Sequence, residues 1–102
     1  MYLQAKWQSL LSRIGYISNE ADIDNIKKAF SLTVNLQGVQ KRASGEPYYY
    51  HPVEVAEILA EYNADAEMIA AGLMHDVLED TDYPAERMKD VFGEKIYLLV
   101  DG

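Results

Sequence analysis

Residues 66–80 read AEMIAAGLMHDVLED, and this stretch decides the fold class of the chain. Its apolar residues recur three and four positions apart, which predicts a helix buried along most of its length. Asp65 stands directly before the stretch and is a residue type that caps helix N-termini. One histidine and three carboxylates close the same segment, namely His75, Asp76, Glu79 and Asp80. The sequence therefore predicts a core helix with polar chemistry at one end.

Helical periodicity also runs upstream of this segment. Residues 2–16 place apolar side chains three and four apart, and a second helix is expected to start at Asn19 or Asp22 and to end near Gly38. A third is expected to begin with Pro52, which suits a first helical turn. The tyrosines at 48–50 and the pre-proline His51 are expected to be extended, because a proline disfavours helical geometry in the residue before it.

Two shorter helices are expected downstream. Thr81 or Asp82 is expected to cap a fifth helix, with Pro84 at an early position and Gly93 at its end. Residues 94–102 read as the start of a further, strongly apolar helix. No stretch gives a convincing alternating strand pattern, so the class is all-α, with five or six helices packed antiparallel through short loops.

The composition of the chain limits the kinds of site and partner that it can have. With 102 residues the chain is one domain at most, and it has no cysteine for a disulfide or a zinc thiolate site. We expect a cytoplasmic protein with no membrane partner, because no apolar run approaches the roughly 20 residues that span a bilayer. The net charge of −8 argues against DNA as a partner. A small phosphorylated ligand stays compatible with that charge, because the local field matters more than the total.

The polar end of residues 66–80 has two interpretations. On one continuous helix, residues three and four apart share a face, so His75, Asp76, Glu79 and Asp80 would all point into one cleft. Three crowded carboxylates are costly without a cation, and a mixed imidazole and carboxylate set suits Mn²⁺, Fe²⁺ or Zn²⁺. Alternatively, the acidic residues form a solvated helix end. Spacing alone leaves both interpretations open.

Two further features carry chemistry. His51 lies between a tyrosine run and a proline, so it is either a locally bonded turn residue or an imidazole aimed at His75. Lys41, Arg42 and Ser44 form the one concentrated basic and hydroxyl patch of the sequence. The patch is either a solvated helix end or a phosphate clamp.

Three segments together closely resemble the hydrolase domain of the RelA/SpoT family, the enzymes of the alarmone (p)ppGpp, within the HD superfamily. They are QKRASGEPYYYHPVEVAEILAEY (40–62), IAAGLMHDVLEDT (69–81) and FGEKIYLLVDG (92–102). The resemblance runs from about Phe30 to Gly102. It implies an HD-like helical bundle and a guanosine-3′,5′-bis(diphosphate) 3′-pyrophosphohydrolase that uses Mn²⁺ and acts on guanosine tetra- or pentaphosphate.

The same resemblance implies roles for individual residues. His51, His75 and Asp76 match the metal ligands, and Glu79 and Asp80 match the pair that positions or activates the attacking water. Arg42 and Ser44 match nucleotide contacts, and the neighbouring Lys41 is expected to join them. Three positions depart from the family pattern: Gln37 stands where a histidine is usual, Val39 where a glycine is usual, and Ala43 where a basic residue is frequent.

The chain is also expected to be a partial hydrolase domain over residues 1–102, without synthetase or regulatory domains and without the family's fourth metal ligand, an aspartate. Three hypotheses follow: a weak or inactive pyrophosphohydrolase, a non-catalytic fragment that at most binds nucleotide or a partner, and a helical interaction module without metal. The apolar residues 96–100 predict association, either with a second copy or with the remainder of the domain.

Overall fold

A computed structural model of the chain describes residues 2–37 and 50–101, with side chains described for residues 5–36 and 51–101. Within these ranges every regular element is helical, as the sequence predicts. The elements are α1 (Tyr2–Arg13), α2 (Glu20–Gln37), α3 (Tyr50–Glu61), α4 (Ala66–Met74), α5 (Val77–Asp80), α6 (Ala85–Phe92) and α7 (Glu94–Asp101).

Helix α4 is the centre of the bundle and packs against α2, α3 and α7. All residues from Ile69 to Met74 are buried, which confirms the predicted core helix. Around it, α1 packs on α3 and α6 packs on α7. A single core cluster runs through all of these helices, from Leu10 in α1 to Ile96 in α7.

Several helix ends follow directly from local sequence. The Asn19 side chain accepts hydrogen bonds from the backbone of Ala21 and Asp22, so Asn19 caps α2. Asp65 accepts from the Met68 backbone and caps α4 as predicted. Gly93 ends α6 with φ of 92°, a left-handed backbone that glycine adopts readily. These three predictions are confirmed because a cap depends on residues only two or three apart.

Other local predictions are wrong. The continuous helix over 66–80 is interrupted, because α4 ends at Met74 and α5 begins only at Val77. His51 and Tyr50 lie in the first turn of α3 instead of an extended segment. Pro52 follows in that turn and is fully buried, so tertiary packing overrides the pre-proline preference. Tyr48 and Tyr49 fall outside the described residues.

The start of α6 also differs from expectation. Pro84 occupies its N-cap position and no side chain caps it. The Thr81 hydroxyl instead donates to the Val77 carbonyl at 2.6 Å and accepts from the Tyr83 backbone at 3.2 Å. Thr81 is therefore the C-cap of α5 and not the N-cap of α6.

Helix α3, which carries His51, and helix α4, which ends just before His75, approach each other closely. A Cβ atom added at Gly72 would lie 2.7 Å from Leu59 Cδ1, so only a glycine fits here without movement of a neighbour. No helix among residues 2–37 and 50–101 has the length and apolar character that a bilayer crossing requires.

Candidate metal centre

Three side chains from two helix ends converge at one point. His51 comes from the first turn of α3, and His75 and Asp76 form the turn between α4 and α5. One ligand atom from each lies within 4.8 Å of the other two. Any two ligands of one metal ion with metal–nitrogen bonds of about 2.1 Å lie at most about 4.2 Å apart, so the three atoms are close to the spacing that a shared ion requires. The two imidazole rings meet edge to face, with centroids 5.3 Å apart at an interplanar angle of 67°.

The main chain fixes the tautomer of His75. Its Nδ1 atom lies 2.7 Å from the Gly72 carbonyl oxygen. Because a carbonyl only accepts, Nδ1 carries the proton and donates it, and the neutral ring then presents a lone pair at Nε2. In a metal-bound histidine, the ring nitrogen that does not bind the metal typically donates a hydrogen bond of this kind, which orients the ring.

The free nitrogen of His75 faces a carboxylate. Nε2 lies 3.3 Å from Asp76 Oδ2, and both side chains are only partly exposed, at 33% and 22%. A lone pair facing a carboxylate oxygen at this distance is repulsive unless positive charge lies between them. That charge is either a proton on Nε2, which gives an ion pair, or a cation that both atoms bind. The donor set of two imidazoles and one carboxylate fits a divalent transition metal.

The break between α4 and α5 creates this geometry. The last four carbonyls of a helix have no partner within it. At the end of α4, the Gly72 carbonyl accepts a hydrogen bond from His75 Nδ1. The Leu73 carbonyl accepts one from the Thr33 hydroxyl at 2.8 Å. Local spacing does not signal this contact, because Thr33 and Leu73 are 40 positions apart.

Glu79 and Asp80 line different cavities. Glu79 is exposed and lines a cavity of about 290 Å³ together with His75, Leu78, Val100 and Asp101. Asp80 lines a cavity of about 510 Å³, with Leu36 and residues 81–84. The single cleft for all four polar residues stays a prediction.

Asp101 was not selected as a site residue. It reaches the cavity of His75 and Glu79 because α7 packs on α4, a tertiary contact that helical spacing does not reveal. Lys41, Arg42 and Ser44 lie outside the described residues.

Comparison with known proteins gives one family match and several relatives. The family described as HD domain matches residues 29–102. A guanosine-3′,5′-bis(diphosphate) 3′-pyrophosphohydrolase of Aquifex aeolicus is 41% identical over 103 positions, covering 90% of this chain and 15% of that protein. A probable enzyme of the same name from Synechocystis is 48% identical over 77 residues, covering 76% of this chain and 10% of that protein.

A plant relative adds a second name. A putative chloroplastic GTP diphosphokinase, RSH1, of Oryza sativa is 43% identical over 97 residues, covering 94% of this chain and 11% of that protein. The chain therefore spans only a small part, 15% or less, of the length of these three relatives.

Proposed function

Because the chain belongs to the RelA/SpoT family and carries an HD domain over residues 29–102, we propose that it forms the metal-binding part of a (p)ppGpp 3′-pyrophosphohydrolase. Its reaction would be hydrolysis of the bond that joins the 3′-diphosphate to the nucleoside. Water supplies the oxygen, and the products are pyrophosphate and GDP or GTP. The proposed cofactor is Mn²⁺, and guanosine tetra- or pentaphosphate is the proposed substrate.

One observation carries the proposal: His75 Nε2 and an Asp76 carboxylate oxygen lie 3.3 Å apart, with a ligand atom of His51 within 4.8 Å. A divalent cation bound by all three would replace repulsion with attraction at each contact. His51, His75 and Asp76 are accordingly the proposed ligands.

The roles of the surrounding residues follow from their positions. When bound, the metal would supply a coordinated water of lowered pKa and polarise a phosphate oxygen. Glu79, exposed in the cavity beside His75, is suited to accept a hydrogen bond from that water and to take its proton. Asp80 faces a separate cavity, so its proposed part is to orient water or substrate at the edge of the site.

Nucleotide binding is proposed for Lys41, Arg42 and Ser44. Leu36, near the end of α2, lines the larger cavity beside Asp80. Arg42 follows Leu36 by six positions in the sequence. A basic and hydroxyl patch is suited to hold a phosphate chain.

A second candidate function is a non-catalytic binding module. Leu98 and Leu99 of α7 are 56% and 40% exposed, and Ile58 and Tyr62 of α3 are also exposed. Apolar side chains that share an exposed helix face favour association with a second copy or with another part of the hydrolase domain.

The first test separates a metal site from an ion pair. Isothermal titration calorimetry with Mn²⁺ should give one binding event for the wild-type chain, lost or weakened at least tenfold in His75→Ala and Asp76→Asn. Asp90→Asn, which removes the same charge from an exposed position of α6, should bind like wild type. Absence of Mn²⁺ binding by the wild-type chain would overturn the metal centre.

The second test addresses the reaction. Chromatography of ppGpp incubated with the chain and Mn²⁺ should reveal slow release of pyrophosphate, which Glu79→Gln reduces further. Metal binding without any turnover would favour the binding module. Concentration-dependent sedimentation, with Leu98→Ser and Leu99→Ser as variants, tests association.

A further inference from the structure

Thr33 is the one buried polar residue among the side chains that the structure describes. It is 0% exposed and lies on α2, surrounded by the apolar core. Burial of a hydroxyl in such a place is unfavourable unless it forms a hydrogen bond. Its Oγ1 donates to the Leu73 carbonyl oxygen at 2.8 Å. This long-range bond ties α2 to the last turn of α4.

The accepting carbonyl belongs to the peptide that precedes the metal-site turn. Leu73 is followed by Met74 and then by His75 and Asp76, where the chain leaves the helix. In an uninterrupted helix, the carbonyls of Gly72 and Leu73 would accept from the backbone of residues 76 and 77. Here side chains donate to both carbonyls: His75 donates to the Gly72 carbonyl and Thr33 donates to the Leu73 carbonyl.

We infer that Thr33 is a positioning residue for the proposed metal ligands His75 and Asp76. By holding the Leu73 carbonyl, it keeps the end of α4 in the orientation that lets the His75 ring reach Gly72 and turns Nε2 towards Asp76. Thr33 touches neither ligand and acts only through the backbone between them. The inference rests on the proposed metal site. The hydrogen bond from the His75 ring to Gly72, which Thr33 is inferred to support, does not itself require a bound metal.

The metal-free test reads His75 directly. NMR of the metal-free chain should show a His75 Nδ1 proton that exchanges slowly with water, because the Gly72 carbonyl holds it whether or not Nε2 also carries a proton. Thr33→Val, which matches the shape of threonine but lacks the donor, should speed that exchange. Thr33→Ser should restore the slow exchange. An unchanged His75 exchange rate in Thr33→Val overturns the inference, whether or not Mn²⁺ binds.

The second readout is Mn²⁺ affinity by calorimetry, below the unfolding transition of every variant. Loss of a group hydrogen-bonded to a ligand typically weakens metal binding 10- to 100-fold. Thr33 acts one step further away, through the backbone, so Thr33→Val should weaken binding by about tenfold at most and Thr33→Ser hardly at all. Ser9→Ala is the matched control, since it removes a 2.6 Å hydroxyl bond between α1 and α3. It should lower stability and leave affinity unchanged.

The outcomes separate the two proposals. Lowered stability in Thr33→Val with wild-type affinity would reduce Thr33 to a purely structural contact. Failure of the wild-type chain to bind Mn²⁺ removes the metal site and leaves the His75 exchange rate to decide the positioning role. Should Thr33→Val not fold, Thr33→Cys, a weaker donor, replaces it, and affinity equal to that of Thr33→Ser counts against the inference.

Discussion

The imidazole rings of His51 and His75 lie 5.3 Å apart, although His51 lies in the first turn of α3 and His75 in the turn that follows α4. The close packing of α3 on α4 makes this possible, because Gly72 has no side chain to hold Leu59 away. Each ring arises from a different backbone setting, one in a helical first turn and the other in an interrupted helix. The convergence of the two rings is thus a consequence of how tightly two helices approach.

Substitution at Gly72 tests this packing. In Gly72→Ala the new Cβ would lie 2.7 Å from Leu59 Cδ1, which must move. Overpacking costs about 1–3 kcal/mol, and the gain in helix propensity of about 0.5–1 kcal/mol offsets part of it. We expect a net loss of about 1 kcal/mol in urea denaturation, relieved by Leu59→Val. Gly15→Ala is the control, because its nearest atom, Ser12 O, is at an ordinary 3.7 Å. Equal effects at the two glycines would contradict the packing argument.

Metal addition and removal should change stability. A ligand that binds only the folded state adds about 2.7 kcal/mol at a concentration 100 times its dissociation constant. We therefore expect Mn²⁺ to raise the thermal midpoint of the wild-type chain and a chelator to reverse the rise, as measured by circular dichroism. His51→Ala should abolish the response. A midpoint that rises equally in that variant would mean that Mn²⁺ binds elsewhere.

A polar contact attaches α1 to the helix that carries His51. The Glu57 carboxylate, 14% exposed, accepts from Ser9 at 2.6 Å and from Arg13 at 3.1 Å. Hydrogen bonds to charged groups contribute about 1.5–3 kcal/mol, and exposure of Arg13 lowers this. Glu57→Ala should therefore cost about 1–2 kcal/mol in urea denaturation.

The only tryptophan reports on the packing of α1 against α2. Trp7 packs against Phe30 with ring centroids 5.4 Å apart, so its emission should shift to the red if α1 loosens in Glu57→Ala. Glu54→Ala removes an exposed carboxylate from the same helix and is expected to leave both stability and emission unchanged.

Stability should fall above about pH 10. Burial, with the Asp65 carboxylate adding to it, raises the pKa of the Tyr16 phenol, which donates to the Ala64 carbonyl at 2.6 Å. A hydrogen bond to Glu67, at 2.8 Å, raises the pKa of Lys95. Both groups hold their protons more tightly when folded than the unfolded values of about 10 and 10.4, so their contribution is complete below pH 10 and is lost as pH rises through the folded pKa values.

Urea titrations at pH 9 and pH 11 measure this loss. Tyr16→Phe and Lys95→Met should each reduce the difference in unfolding free energy between the two pH values. A difference that stays the same in the double variant would assign the alkaline loss to other groups.

Short-range features of the fold were predictable from sequence. Asn19, Asp65 and Gly93 mark helix ends through contacts with residues a few positions away. The break after Met74 was not predictable from local spacing, because the two side chains that bind carbonyls there include Thr33, which is 40 positions from Leu73. Helical spacing grouped Asp80 with His75, whereas the structure places them at different cavities.

The candidate ligands were proposed from residue type and family resemblance, and only tertiary packing brings His51 to the other two. Asp101 shows the same limit, since the packing of α7 on α4 is a long-range relationship. Residue spacing predicts which side chains share one helix, and it carries no information on which helices meet.

Helix α1 has a practical consequence for anyone dividing this protein into expressible pieces. The family match begins at residue 29, yet Leu10 and Ile14 are fully buried in the common core. A recombinant protein that starts at residue 29 would lack α1 and expose the apolar surface of α3 that α1 covers. Such a protein would be prone to precipitate. The unit that folds is thus larger than the segment that the family match delimits.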